Sequence, residues 1–411
     1  MGDERKIVLA GRLVDAETGD VVSDRAIIVR GERIVDVVPA AQAPAEGVEV
    51  VDLSDSTVAP GMIDCHAHLV GPTESESGLE ELQMSDEKEM ALSKENALAT
   101  VMAGFTTVRD VGTFRGFFDL ELRDLIESGA TPGPRMSCAC AYLTCPGGGG
   151  TLSDLPPGTD IPERYEAGIV SSVEDARRKV NEILDGGADF IKAIATGAVL
   201  IVGTDPTADE LTYEQLAAAV EEAEKRGTYV AAHAHAASGI SNAARAGCRS
   251  VEHGSLMDDE AIEAMVEHGT YLVADIYCGD WIAEEGRRAG WPEETLQKND
   301  DTTDAQREGF RKCLAAGVKL AFGTDSGVYP HGWNGKQLAY QVRYGMTPVQ
   351  ALQAATIVAA ELMGWEDRVG SISPGKYADL IAVDGHDLGD LSSFADVSFV
   401  MKGGDVLKSG G

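Results

Sequence analysis

Eight histidines occur in 411 residues, and five of them fall in short apolar stretches. His66 and His68 stand in "PGMIDCHAHL", His233 and His235 in "TYVAAHAHA", and His253 in "CRSVEHG". Residues two apart on a strand point to the same side, so each H-x-H pair can offer two imidazoles to one ion. Imidazole and carboxylate suit zinc and related divalent cations. One such pair is a weak signal; five histidines at comparable strand ends, joined by Asp325 at the end of "VKLAFGTD", form a strong one. Lys192 lies inside "DFIKAIATG". A lysine within an apolar strand loses solvation, which favours the neutral amine unless a carboxylate pairs with it. A neutral amine adds to CO2 to give a carbamate, whose two oxygens can bridge two cations. Spacing leaves both readings of Lys192 open, the carbamate and the ordinary ion pair. The other histidines, His268, His331 and His386, do not end strands.

The elements that must position these residues alternate. Strand candidates are "MIDCHAHL", "FTTVRDVG", "RMSCACAYLT", "DFIKAIATG", "TYVAAHAHA", "CRSVEHG", "TYLVADIY" and "VKLAFGTD". Helical patterns lie between them, for example 86–103, 173–184, 213–226 and 303–315. Short apolar strands alternating with amphipathic helices predict an α/β fold, and this number of units fits a (β/α)8 TIM barrel. An open doubly wound sheet is the second choice, but its G-x-G-x-x-G fingerprint is missing. "PGGGG" (146–150) reads as a loop at the barrel mouth. In a barrel all C-terminal strand ends face one mouth, which would collect the five histidines, Lys192 and Asp325 there. Both ends of the chain read as β-structure, in "KIVLAGRLVD", "RAIIVRGERIVDVVP" and "VEVVDLSDSTVAP" and again in "YADLIAVDG" and "VSFVMKGGDVLK". We therefore expect a small composite β-sandwich domain from residues 1–58 and 363–411 around a barrel of residues 59–362.

The composition narrows the partners. With 34 basic and 68 acidic residues the formal charge is −34, which argues against nucleic acid and anionic membranes. The acidity fits an ordinary acidic enzyme surface or an adaptation to salt. Seven cysteines without a C-x-x-C point to a reduced, intracellular chain rather than a disulfide framework. "MGDERKIVLAG" has no long apolar run of a signal peptide, and no stretch is long and apolar enough to suggest a membrane span. A cytoplasmic enzyme acting on a small molecule or short peptide is expected.

The residue set resembles the binuclear site of the amidohydrolase superfamily: H-x-H after the first barrel strand, Lys after the fourth, His after the fifth and sixth, Asp after the eighth. "APGMIDCHAHL", "AGFTTVRDVG", "AAHAHAASGI", "SVEHGSLMDD" and "FGTDSGVYPHG" are similar to the subgroup holding imidazolonepropionase-like enzymes and metal-dependent prolidases. "ADIYCGDW" and "FGTDSGVYPHGWNGKQL" look closest to its carboxypeptidases and dipeptidases, near the ochratoxin-hydrolysing amidases. The resemblance implies two divalent ions, zinc by preference. His66, His68 and Asp325 would hold the more buried ion, His233 and His253 the second, and a carboxylated Lys192 would bridge them. Asp325 would also be the catalytic proton carrier. His235 is implied as a substrate or supporting residue, Tyr277 as substrate-facing, and His331 as a pocket residue. A homo-oligomer is implied by analogy.

Two departures stand out. Relatives often carry a histidine in the loop after the third strand, where this chain has Gly149 and Gly150. Mononuclear deaminases place a glutamate three residues after the histidine of the fifth strand, where this chain has Ala236, which weakens a deaminase reading. The implied reaction is hydrolysis of the amide bond to a C-terminal amino acid, in N-acyl amino acids or short peptides. An Xaa-Pro dipeptidase and a detoxifying amidase such as an ochratoxin A hydrolase are the alternatives. A non-catalytic scaffold is disfavoured because all six ligand positions are filled. Tyr277, His235, His331 and Arg115, in that order, are candidates to hold the substrate carboxylate. Arg109 reads mainly as an ion pair with Asp110. Asp275 and Asp280 fit either selection of a basic leaving residue or simple solvated carboxylates.

Overall fold

Apolar runs at the N-terminus form β1 (Arg5–Val14), β2 (Val21–Arg30), β3 (Arg33–Pro39) and β4 (Glu49–Pro60). The middle of the chain supplies β5 (Met62–Ala67), β6 (Phe105–Asp110), β7 (Arg135–Cys138), β8 (Tyr142–Leu143) and β9 (Ile191–Ile194). It continues with β10 (Val230–Ala236), β11 (Ser250–Leu256), β12 (Tyr271–Val273) and β13 (Leu320–Ala321). The tail adds β14 (Leu380–Asp384), β15 (Phe399–Lys402) and β16 (Asp405–Ser409). This computed structural model describes residues 5–44, 48–73, 78–153, 155–385, 388–389 and 391–410; His386 lies outside them. Among the described residues no helix is long and apolar enough to cross a membrane.

The two termini share one sheet, ordered β16-β15-β14-β4-β1-β2-β3. Its β3 end also bonds to the segment that leads into β14: the Ile34 N–H donates to Lys376 O and the Ala378 N–H to Glu32 O. Alternation along β14 explains its double duty. Leu380 and Ala382 join Val8, Ile27 and Phe399 in a core of the terminal sheet, while Ile381 and Val383 face the main core.

β5 to β13 pair only in parallel, as β5-β6-β7 and as β8-β9-β10-β11-β12-β13. Every residue of β5, β6, β9 and β10 is buried, as strands covered on both faces require. Some of the intervening helices start on side-chain caps; Ser172 accepts from the Asp175 N–H, and Thr212 forms a capping box with Gln215. The expected third strand is broken. Cys140 takes a left-handed φ of 68°, so β7 pairs with β6 and β8 pairs with β9. On the far side, the Cys65 N–H donates to Phe322 O at 2.9 Å and the His68 N–H to Ser326 O at 2.8 Å, which links β5 to the segment after β13.

One helix is much longer than its sequence pattern suggested. Instead of 303–315 it spans Glu293–Ala316. Its first half buries Thr295, Asn299, Thr302 and Gln306, polar side chains at helical spacing, which an apolar-periodicity test does not register.

The terminal sheet is fastened to the parallel strands by a half-buried ion pair. Arg135, at the start of β7, reaches Asp379 at 3.2 Å, and the same carboxylate accepts from the Gly403 N–H at 2.7 Å. Removing the carboxylate leaves both donors without it, so Asp379→Ala is expected to cost about 2 kcal/mol of stability. A denaturant midpoint equal to that of the unaltered chain would contradict this coupling.

Candidate metal centre

β5 ends at His66 and His68, β10 carries His233 and His235, and β11 carries His253. Parallel pairing brings these ends to one place. The ring centroid of His253 lies 4.5 Å from that of His233, 4.9 Å from that of His235 and 4.8 Å from that of His66. Asp325, just past β13, places Oδ1 3.5 Å from His66 Nε2 and 3.4 Å from His68 Nε2. Donor atoms of His233, His235 and His253 lie within 4.8 Å of one another, as do those of His66, His253 and Asp325. The structure thus sets His235 beside the implied ligands His233 and His253.

Backbone strain is concentrated here. His253 (φ 69°) and Asp325 (φ 59°) both adopt the left-handed conformation, which costs a non-glycine residue on the order of 1 kcal/mol. Glycines make room for it. A Cβ on Gly323 would meet His66 Cβ at 2.9 Å, and one on Gly327 would meet His68 Cβ at 2.9 Å. Both must be glycine for the Asp325 segment to close on the two imidazoles.

Acceptors on the far nitrogen fix three of the rings. His66 Nδ1–H donates to Glu252 Oε2 at 2.8 Å, His68 Nδ1–H to Gly112 O at 2.8 Å, and His253 Nδ1–H to Asp275 Oδ1 at 2.9 Å. Each Nε2 then keeps its lone pair for the site, the arrangement metal-bound histidines require. The acceptors are themselves held. Glu252 also takes Arg109 at 2.7 Å and the Ser250 hydroxyl, and Gln306 donates to Asp275 at 2.8 Å. His235 differs, because its Nδ1 meets the Ser255 hydroxyl at 2.8 Å, a group able to donate or accept. His331 Nε2–H donates to His68 O at 3.0 Å while the Thr100 hydroxyl donates to its Nδ1.

The electrostatics suit divalent cations. Burial, and the positive charge of neighbouring groups, holds His233 and His235 well below the usual imidazole range, so both are neutral. For His66, burial and Lys192 push the pKa down, but Asp325 and Glu252 outweigh them and hold it above normal. A proton therefore competes with a cation for His66. Burial alone would raise Asp325, yet its bonds to His66 and His68 keep it well below the carboxylate range. Burial lowers Lys192 to about 8, and its Nζ has no hydrogen-bond partner among the described residues. That orphaned amine, set among neutral imidazoles and an ionised carboxylate, fits a group that becomes anionic on reacting with CO2. Cys278 lies near Asp275 and Asp325, but burial pushes its thiol far up, which makes it a poor ligand.

These side chains line a cavity of about 420 Å³ with apolar walls that include Phe114, Leu152, Leu200, Ile282 and Trp291. Several sequence expectations fall elsewhere. Tyr277 does not line the cavity; it opens the helix Cys278–Ala289 and packs its ring against Tyr329 and Tyr340. His331 also lies behind the wall, supporting the His68 carbonyl. Arg109 pairs with Glu252 rather than Asp110, whose carboxylate accepts from Leu69 and Gly112 backbone N–H groups. Arg115 is committed to Glu89 and Asp86. Asp280 binds Arg307 and the Tyr340 hydroxyl, while Asp275 is spent on His253 and Gln306. The glycine loop has no room for the histidine seen in relatives. A Cβ would meet Ala198 Cβ at 3.0 Å from Gly149 and Tyr142 Cβ at 2.7 Å from Gly150.

Sequence reasoning passed over Glu252, Tyr142, Ser255, Gln306 and Glu81. For Glu252 a signal existed: a carboxylate inside the apolar run "SVEHG", matched by Arg109 inside "TTVRDV". For the others nothing in the local pattern announces a site.

Comparison with known proteins identifies the family. The model of the amidohydrolase family matches residues 57–408. The chain is 30% identical to an ochratoxinase of Aspergillus niger over 435 aligned residues, covering 100% of this chain and 88% of the relative. It is 36% identical to a Xaa-Pro dipeptidase solved with methionine in its active site, with a TM-score of 0.91 over 99% of this chain and 100% of that one. A prolidase complexed with N-methylphosphonate-L-proline is 30% identical, with a TM-score of 0.89 over 98% of this chain and 100% of that one.

Two outcomes follow from the supporting contacts. Glu252→Gln keeps the shape but weakens the grip on His66, so metal affinity should fall about 10- to 100-fold in a chelator competition; unchanged retention would refute the supporting role. Burial lowers His331 to about 4, against the usual 6.5 of a free imidazole. The unfolded chain then binds the proton first as pH falls, so this residue's contribution is full above 6.5 and is lost between 6.5 and about 4. The difference in metal-free stability between the unaltered chain and His331→Gln should shrink over that range; a constant difference would be the contrary result.

Proposed function

The chain belongs to the amidohydrolase family and hydrolyses amide bonds, and on that premise we propose a two-metal enzyme that releases a C-terminal amino acid from N-acyl amino acids or short peptides. The observation that carries the proposal is Lys192, a buried amine with no hydrogen-bond partner among the described residues, opening into the same cavity as five histidines and Asp325. In this reading residues 59–362 form a (β/α)8 barrel, and residues 1–58 and 363–411 form the composite β-sandwich domain. The links from β5 to the segment after β13 support the first part, and the shared terminal sheet supports the second.

His66, His68 and Asp325 would hold one ion, His233 and His253 the other, and Lys192, carboxylated by CO2 with loss of a proton, would bridge them; zinc suits this donor set. Such ions lower the pKa of a shared water and polarise the substrate carbonyl. Asp325 accepts the water's proton at a carboxylate oxygen and passes it to the leaving nitrogen. Neutral His235 accepts a hydrogen bond from the Ser255 hydroxyl at Nδ1, which keeps the ring proton on Nε2 as a donor to the developing oxyanion. It thereby takes over the donor that the glycine loop cannot carry.

The methionine and the proline phosphonate held by the similar structures favour an amino-acid leaving group. The apolar walls and the similarity to ochratoxinase favour, as a second reading, bulky N-acyl amino acids such as ochratoxin A.

The test is a screen with metal content measured alongside rate, using N-acyl amino acids, dipeptides varied at the C-terminal residue, and ochratoxin A. Lys192→Ala should lose metal and activity together, with partial recovery in small carboxylic acids. Full activity without them removes the carbamate, and metal-loaded protein that cleaves none of the panel removes the substrate class.

A further inference from the structure

Among the described residues, the cavity that holds the candidate metal ligands has one carboxylate the reaction does not use. Of the acidic residues lining it, Asp325 meets His66 and His68, and Asp275 meets His253 and Gln306. The third, Glu81, is 8% exposed, and its carboxylate has no hydrogen-bond partner among the described residues. Arg115, close beneath, does not supply one. Its guanidinium is shared among Glu89, Asp86 and the Met84 carbonyl, and it reaches Glu81 only at the backbone oxygen, 3.4 Å away.

The surroundings make this carboxylate costly to ionise. Burial, helped by the charge of Glu89 and opposed only in part by Arg115, raises it to about 8. Lys192 is the one lysine or arginine lining the cavity, and it sits among the metal ligands. Nothing in the described wall therefore neutralises Glu81; a group brought in by a substrate would. Glu81 lies near the reacting end, close enough to Tyr142 for its charge to act on that phenol, and Tyr142 in turn contacts His68 at 3.3 Å.

We propose that Glu81 binds a protonated amine or guanidinium carried by the substrate and so selects positively charged amides over neutral isosteres. This rests on the reading above that the cavity takes a peptide-like amide. It also relocates the acidic pocket: Asp275 and Asp280, the residues first suited to that role by sequence, are spent on protein partners. The positive charge can come from the free amino terminus of the acyl residue or from the side chain of the leaving residue, and matched substrates separate the two. One pair is a free dipeptide and its N-acetyl form. The other has C-terminal lysine and C-terminal norleucine on the same acyl group.

The expected result is a preference of about tenfold or more in kcat/KM for the charged member of one pair, carried by KM, since a charge-assisted hydrogen bond is being made. Glu81→Gln should collapse that ratio toward one, and Glu81→Asp should restore part of it. A ratio unaltered by Glu81→Gln, or a wild type that favours the neutral member of both pairs, overturns the proposal. If Glu81→Gln does not fold, inhibition of the wild type by lysine and by norleucine, and by alanine amide and its N-acetyl form, gives the same comparison; equal inhibition within both pairs overturns it. A wild type that cleaves neutral N-acyl amino acids but shows no charge preference leaves the amide-hydrolase reading standing and removes only this one, whereas a metal-loaded wild type that cleaves no amide removes both.

Discussion

Arg109 and Glu252 face each other at 2.7 Å, both fully buried between parallel strands. Charges so far from water persist only when paired and hydrogen-bonded, and these are. The guanidinium also donates to Cys65 O and Ser250, and the second carboxylate oxygen takes the His66 ring. Both oxygens of Glu252 are thereby engaged. Burial would raise its pKa, but Arg109 and His66 hold it ionised. Lys192, within reach of the charge of Glu252, has no hydrogen-bond partner among the described residues. One closed pair thus fixes a metal-ligand ring and leaves an amine free to react.

The same economy recurs around the site. Carboxylates and carbonyls that look available are already engaged within the protein: Asp275 by His253 and Gln306, Asp110 by two backbone N–H groups, Gly112 O by His68 and Tyr142. Asp64 accepts from Thr324, Asn334 and the His66 N–H, and so ties β5 to the loop that carries Asp325. Positioning is spread over many short contacts because the ligands come from strand ends far apart in sequence. Strain at His253 and Asp325 is tolerable within such a frame and would not be in a free loop.

Much of the fold was legible in the chain. Apolar strands alternating with helices announced parallel pairing, and the β-like ends announced a shared sheet. Where legibility failed, the reason was physical. Cys140 bends a continuous apolar run with a left-handed backbone that no residue type signals, and the long helix Glu293–Ala316 hides its first half because it buries polar faces. Tyr277 and His331 have suitable chemistry near suitable strand ends, yet their rings point behind the cavity wall, since direction depends on the turn each residue enters rather than on its place in the chain.

The sequence by itself determined which groups could bind metal. Histidines two apart on a strand must share a side, and their recurrence after separate apolar strands requires a common end if the strands are parallel. Only the tertiary structure decided which nitrogen each ring presents, which charges are paired and which are left over. Those depend on partners such as Glu252 for His66 and Gly112 O for His68, 186 and 44 positions away in the chain. Local pattern carries no information about a hydrogen bond across that distance; folding creates it.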